Sequence, residues 1–99
     1  MNTIEAAQGF SAMGSESRLE VLQALVRAGE PGLRVGDIQE RTGIAASTLA
    51  HHLKFLSAAN LIVQHKQGRV IMNTANFDYL TSLASFILEN CCTEAEAKS

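Results

Sequence analysis

Four polar side chains, Ser47, Thr48, His51 and Lys54, share the stretch A-S-T-L-A-H-H-L-K-F-L, residues 46–56. Wound on a helix at about 100° per residue, Leu49, Leu53 and Leu56 form one inward stripe. Ser47, His51 and Lys54 then point the opposite way, with Thr48 at the helix start. That outward face offers hydroxyls, an imidazole and an ammonium, and no carboxylate. A helix opening on Ser and Thr presents free backbone N–H groups and a positive dipole end, which suits a phosphate. His52 falls about 60° from the centre of the buried stripe. It is expected to be half-buried and hydrogen-bonded, leaving His51 as the outward imidazole. Neither histidine has a carboxylate at catalytic spacing within this helix.

The neighbouring elements are those that would hold such a helix against a duplex. Asp37–Thr42 reads as a shorter helix closed by Gly43 at a C-cap position. Helix, Gly-containing turn and second helix with a polar outer face make a helix-turn-helix pattern that extends to about Ala59. Two β-prone runs follow, Leu61–Lys66 and Val70–Thr74, separated by Gln67-Gly68-Arg69. They predict a hairpin with Gly in the turn and Lys66 and Arg69 at its tip, where a wing would meet a minor groove or flanking phosphates.

Upstream, Thr3 is a candidate N-cap for a short helix to Ala12, with Ile4, Ala7 and Phe10 on one side. Ser15 caps a second helix to about Ala28, whose stripe reads Leu19, Leu22, Leu25 and Val26. Gly29-Glu30-Pro31-Gly32 ends it, and Leu33-Arg34-Val35 can pair as a strand against the hairpin. Asn76 caps a last helix expected to reach about Cys92, with Phe77, Leu80, Leu83, Ala84, Ile87, Leu88 and Cys91 on its apolar side. That side is wider than the core of one small subunit requires. The first helix is too short to be stable alone. The expected fold is therefore mainly α, about five helices and a two-stranded β-hairpin, in one domain spanning 1–99 with a frayed polar tail at 93–99.

Charge agrees with this division. The net charge is −2, but residues 41–77 contain Arg41, Lys54, Lys66 and Arg69 and no acid, so that window is +4 with neutral histidines. All ten acids and the other four bases lie outside it, giving −6. A basic segment on an acidic body is what phosphate binding needs, because the local field acts on the ligand. The N-terminus lacks a basic segment leading into an apolar run, and no apolar stretch approaches the ~20 residues that span a bilayer. Two cysteines in one place do not make a disulfide framework, so a reduced, cytosolic protein is expected. A Gly-rich phosphate loop, a nucleophile elbow and paired acids beside a base are all missing, and no enzyme is expected.

Residues 35–62, V-G-D-I-Q-E-R-T-G-I-A-A-S-T-L-A-H-H-L-K-F-L-S-A-A-N-L-I, resemble the DNA-binding core of the ArsR/SmtB family of bacterial winged-helix repressors. The H-H-L-K-x-L run and the following A-N-L-I carry the likeness, which extends from about Ala12 to Cys92. Ala50 stands where the family often has Ser, and Asn60 where it usually has Gly; Asn tolerates the left-handed conformation. The resemblance implies a homodimer paired through its first and last helices, placing two recognition helices in successive major grooves of a palindromic operator. Ser47, Thr48, His51 and Lys54, with Lys66 and Arg69 on the wing, are the expected DNA contacts. A winged-helix domain used for protein–protein contact is the alternative from another class.

Members of the family release DNA when an inducer binds. Where its third-helix metal box has two cysteines before an Asp, this chain has Arg34 and Gly36 before Asp37. Where its last-helix zinc site has Asp-x-His, Asp78 is followed by Tyr79 and Leu80. What remains is Cys91-Cys92, and E-N-C-C here resembles arsenic-responsive members with paired cysteines near the end of the last helix. Soft thiolates suit thiophilic centres. Two per subunit suit a methylated or aryl trivalent arsenical, in which carbon already fills one valence; for arsenite, which wants three sulfur ligands, the alternative is a third thiol from the other subunit or from a small-molecule thiol. Two other readings stand beside this one. In the first the pair is a redox site, through an intersubunit disulfide, since Cα atoms only about 3.8 Å apart are too close for an unstrained bridge. In the second Cys91 is a packing residue. No cofactor is required by any of the three.

Overall fold

The computed structural model describes residues 1–95, so the tail reading falls in part, at 96–99, outside the described residues. The chain forms α1 (Thr3–Met13), α2 (Glu16–Ala28), α3 (Val35–Thr42), α4 (Ala46–Ala58), β1 (Ile62–Gln67), β2 (Val70–Ala75) and α5 (Phe77–Leu88). Five helices and a two-stranded antiparallel hairpin are the architecture expected from the sequence.

The local signals are visible at the helix ends. Asn2, not Thr3, caps α1: its Oδ1 accepts the Glu5 N–H at 2.8 Å, while Glu5 Oε1 accepts the Asn2 N–H at 3.2 Å. The reciprocal pair satisfies two donors at once, which a cap one residue later would forgo. Ser15 caps α2 by accepting the Arg18 N–H. The third helix begins two residues before Asp37 because the Asp37 carboxylate turns back to accept the Arg34 N–H at 3.1 Å. That backbone hydrogen bond, reinforced by the Arg34 side chain, holds the Asp37 carboxyl below the usual aspartate range. Gly43 closes α3 in the left-handed conformation at φ 74°.

The core is a single cluster. Val21, Leu22, Ala24 and Leu25 of α2 lie at its centre with Ile38 of α3, Leu49, Leu53 and Leu56 of α4, and Leu61 and Ile62 at the entry to the wing. The α4 stripe is the expected one. The α2 stripe is so only in part: Leu22 and Leu25 are buried as expected, but Leu19 and Val26 are exposed, and Val21 and Ala24 are buried in their place. Helix α2 is packed by α3, α4 and β2 together, so the face that meets them is set by three neighbours rather than by the most apolar arc.

The wing hangs on one buried polar side chain. Asn73 is wholly inaccessible; its Nδ2 donates to the Leu33 carbonyl at 3.1 Å and its Oδ1 accepts from Gln64 Nε2 at 2.8 Å. Leu33 and Asn73 also exchange both backbone hydrogen bonds, so the predicted strand at Leu33–Val35 shrinks to one bridge before α3 begins. Gly32 sits against this contact with φ 98°, where a Cβ would run into the Asn73 carbonyl.

Helix α5 departs most from expectation. It ends at Leu88, not at Cys92, and Leu83 alone of its residues is buried. Leu83 packs over Gly9 of α1, where an added Cβ would lie 3.0 Å from its methyls. Phe77 (40 %), Ile87 (64 %) and Leu88 (63 %) remain exposed, with Ile4 of α1 (71 %). None of the helices is long and apolar enough to cross a membrane, among the described residues.

Candidate nucleic-acid interface

Helix α4 is positioned by its two ends. Behind it, Ala59, Asn60 and Leu61 form a Schellman turn: the Leu61 N–H reaches the Leu56 carbonyl at 2.9 Å and the Asn60 N–H reaches Ser57 at 3.0 Å. Asn60 takes the left-handed conformation, φ 65°, as its side chain allows. The turn drives Leu61 and Ile62 into the core and aims β1 away from α4. Asn76 locks the return, donating from Nδ2 to the Asn60 carbonyl and capping α5 through Tyr79 N–H.

At the front of α4 the N-cap is Ala45, which supplies no side-chain acceptor, and no acid lies in the first turn. Alanine is among the weaker N-caps, costing about 1 kcal/mol against Ser, Thr, Asp or Asn. The first-turn N–H groups are left to an acceptor from outside the helix. Ser47, Thr48, His51 and Lys54 are all exposed. Ser47, His51 and Lys54, with Ala50, surround a shallow concavity of about 340 Å³; Thr48 lies to one side of it. Lys54 also borders a second cleft, of about 430 Å³, formed with Val35, Leu53, Gln64 and Ile71 between α4 and the wing.

Lys66 and Arg69 belong to the wing. β1 and β2 pair in register from Ile62↔Ala75 to Gln67↔Val70, leaving Gly68-Arg69 as a two-residue turn. Gly68 takes φ 64° at the first turn position, where a hairpin of this length favours Gly. Arg69 and Lys66 are exposed on this projection, away from the concavity on α4. His52 is half-buried as expected, but no described residue accepts or donates a hydrogen bond to its ring.

Two features at or behind this surface are weakly marked in the sequence. Asn73 reads as one polar residue in a β-prone run, and Arg41, exposed near the end of α3, reads only as part of the basic window. The signal for Asn73 is its company, a Gly at 32 and an apolar Leu33, which become neighbours only when the hairpin folds back.

The two cysteines lie beyond α5. Both are exposed, Cys92 has φ 64°, and their sulfurs are 3.2 Å apart. Neither is on a helical stripe, so Cys91 does not pack against the core of its own chain. No three His, Cys, Asp or Glu side chains converge as a metal site among the described residues.

A helix-turn-helix domain family matches residues 13–65. The chain is 33 % identical to the arsenical resistance operon repressor of Bacillus subtilis, over 86 % of this chain and 77 % of that protein. An ArsR-like transcriptional regulator from Rhodococcus sp. RHA1 superposes with a TM-score of 0.74 at 25 % identity, over 96 % of both chains. The homodimeric winged helix-turn-helix DNA-binding domain of a possible ArsR-family regulator from Mycobacterium bovis superposes at 0.68, with 18 % identity over 96 % of this chain and 88 % of that one.

Proposed function

The chain belongs to the ArsR family of DNA-binding winged helix-turn-helix transcriptional repressors, and from that premise we propose a homodimer that binds a palindromic operator and leaves it when a trivalent arsenical reaches Cys91 and Cys92. The observation that carries the DNA contact is the front of α4, uncapped, free of acids and edged by Ser47, His51 and Lys54. An unpaired helix N-terminus is a phosphate seat, and the Lys54 ammonium, two turns further along the same face, would meet a second backbone phosphate. With one backbone phosphate there, Ser47, Thr48 and His51 come to the base edges of the major groove and Lys66 and Arg69 to the adjoining backbone or minor groove.

The dimer follows from what α1 and α5 leave open. Four large apolar side chains, Ile4, Phe77, Ile87 and Leu88, are exposed on the two helices that Gly9 and Leu83 bind together. Large apolar side chains left exposed on a paired helix layer are candidates for an interaction face, and the M. bovis neighbour is itself homodimeric. Two-fold pairing would set the α4 helices about one helical turn, ~34 Å, apart.

The sulfurs of Cys91 and Cys92, 3.2 Å apart, span what two sulfur bonds of roughly 2.3 Å enclose near a right angle. A trivalent arsenical with one carbon substituent offers two remaining valences, which the two thiols of one subunit would fill, their protons leaving with the two displaced hydroxyl groups as water. The B. subtilis relative is an arsenical resistance operon repressor, which supports the same ligand class. A reduced, cytoplasmic setting would keep both thiols available.

The test is fluorescence anisotropy on duplex DNA from the region upstream of the gene, titrated with arsenite and then methylarsenite. The native protein should bind and be released, with methylarsenite effective at the lower concentration, and a Cys91→Ser/Cys92→Ser variant should bind and stay. Tight binding indifferent to both arsenicals sinks the inducer assignment, and release by an oxidant alone assigns the thiols to redox sensing. Failure to bind any duplex overturns the operator reading in favour of protein contact.

A further inference from the structure

Phe55 is unexplained by DNA binding. It lies on α4 but on the flank turned toward α1 and α2, and it is 57 % exposed. The Arg18 guanidinium of α2 sits over its ring, 5.1 Å from the centroid. Arg18 Nε donates to the Ala12 carbonyl at the end of α1, while its two terminal nitrogens have no hydrogen-bond partner or carboxylate among the described residues. Around this pair opens a cleft of about 460 Å³. Its walls are mostly short side chains, Ala7, Ser11 and Ala12 on α1 and Ala59 behind α4, with Gln8 of α1 also at its edge, and no acid lines it.

We infer that this cleft is a binding site for a small aromatic carboxylate. Short side chains leave room for a flat ring beside Arg18, against the part of the Phe55 ring that the guanidinium does not cover. The terminal N–H groups of Arg18 present two parallel donors that match a carboxylate, with Nε already committed and the guanidinium plane steadied by the Phe55 ring. The stacked cation lacks a counter-charge, so a neutral apolar ligand would leave its strongest donors unused. The concavity is shallow, so its fit is to a small ligand held chiefly by its charge, with apolar walls around one convergent cation.

The cleft walls are α1 and α4, so occupancy bears on DNA affinity only if the dimer and operator readings above hold. The binding itself does not depend on them. The test uses the whole native protein in its reduced form without DNA, with benzoate as probe, followed by 1H–15N correlation spectra at two protein concentrations. Benzoate should shift the amides of Arg18, Phe55 and residues 7–12 and saturate at or below about 1 mM. Benzyl alcohol should bind at least roughly tenfold more weakly, as should benzoate with Arg18→Gln, because the loss is a charge-assisted pair. Cyclohexanecarboxylate and a Phe55→Leu variant, an exposed change that leaves the Arg18–Ala12 contact in place, separate the ring stack from the ion pair, each weakening binding by a smaller factor. Absence of localised shifts, or equal binding of benzoate and benzyl alcohol, overturns the site. Affinity that falls as protein concentration rises also overturns it, since a second copy then fills the cleft. Loss of promoter binding with benzoate binding intact would overturn only the operator reading.

Discussion

Lys54 stands where three surfaces meet: the outward face of α4, the concavity beside Ser47 and His51, and the seam between α4 and the wing. On the proposed docking an ammonium there would touch a phosphate and read no base, so Lys54→Ala should weaken binding to every duplex by a similar factor. The slope of log affinity against log salt should fall by about one; an unchanged slope would remove Lys54 from the interface. Gly32 carries a different kind of necessity. Its φ of 98° disfavours any side chain, and a Cβ would strike the carbonyl of Asn73, whose side chain and backbone together hold β2 to Leu33. Gly32→Ala should therefore cost roughly 2 kcal/mol or more, read as a lower midpoint in urea. Because the collision is with the strand itself, the wing should lose amide-exchange protection before the α2–α4 core does. Uniform loss across the domain would show that Gly32 does not act through the wing.

Among the elements, those specified by their own local code were legible. The Leu49-Leu53-Leu56 stripe, the Gly43 stop and the hairpin at Gly68-Arg69 depend on contacts within a few residues, and each folds where the sequence places it. What escaped was decided by partners far along the chain. The buried arc of α2 is chosen by α3, α4 and β2 together, and Asn73 acquires its purpose only from Leu33, forty residues away. The polar contacts expected on α4 and the wing lie exposed, as a DNA surface requires, although exposure alone does not assign them. The apolar pattern of α5 runs on to Cys91, while the helix itself stops at Leu88, just past Phe86, the last of its side chains to pack on the core. Short helices persist mainly where a face is buried, so the exposed last turn at Ile87 and Leu88 invites cover from outside. On the proposed two-fold pairing, the native protein should sediment as a dimer at tens of micromolar, and Ile87→Glu/Leu88→Glu should sediment as a monomer with its helical circular dichroism unchanged. A variant that still sediments as a dimer would place the interface elsewhere.

For the whole molecule, a net charge of −2 conceals a basic segment, 41–77, on an acidic body. Of its four bases, Lys54 lies on α4, Lys66 and Arg69 on the wing and Arg41 at the end of α3, while α4 and the wing carry no acid. Such a division gives the protein an orientation in the field of a duplex, since the acidic body is repelled from phosphates while the recognition helix is drawn in. Two copies related by a two-fold axis would present two such faces at a fixed distance and a fixed rotation, with the apolar surfaces of α1 and α5 making the joint stiff. The consequence can be read from the DNA. Inserting five base pairs between half-sites turns one of them through about half a helical turn, and inserting ten restores its rotation but moves it ~34 Å further along. A rigid dimer can follow neither change, so both insertions should reduce affinity to the level of a single half-site, with the salt dependence of fewer phosphate contacts. Two monomers bound side by side would recover at ten base pairs, because rotational phase alone would then matter. Recovery at ten and not at five would accordingly disprove the rigid two-fold arrangement while leaving the α4 contact intact.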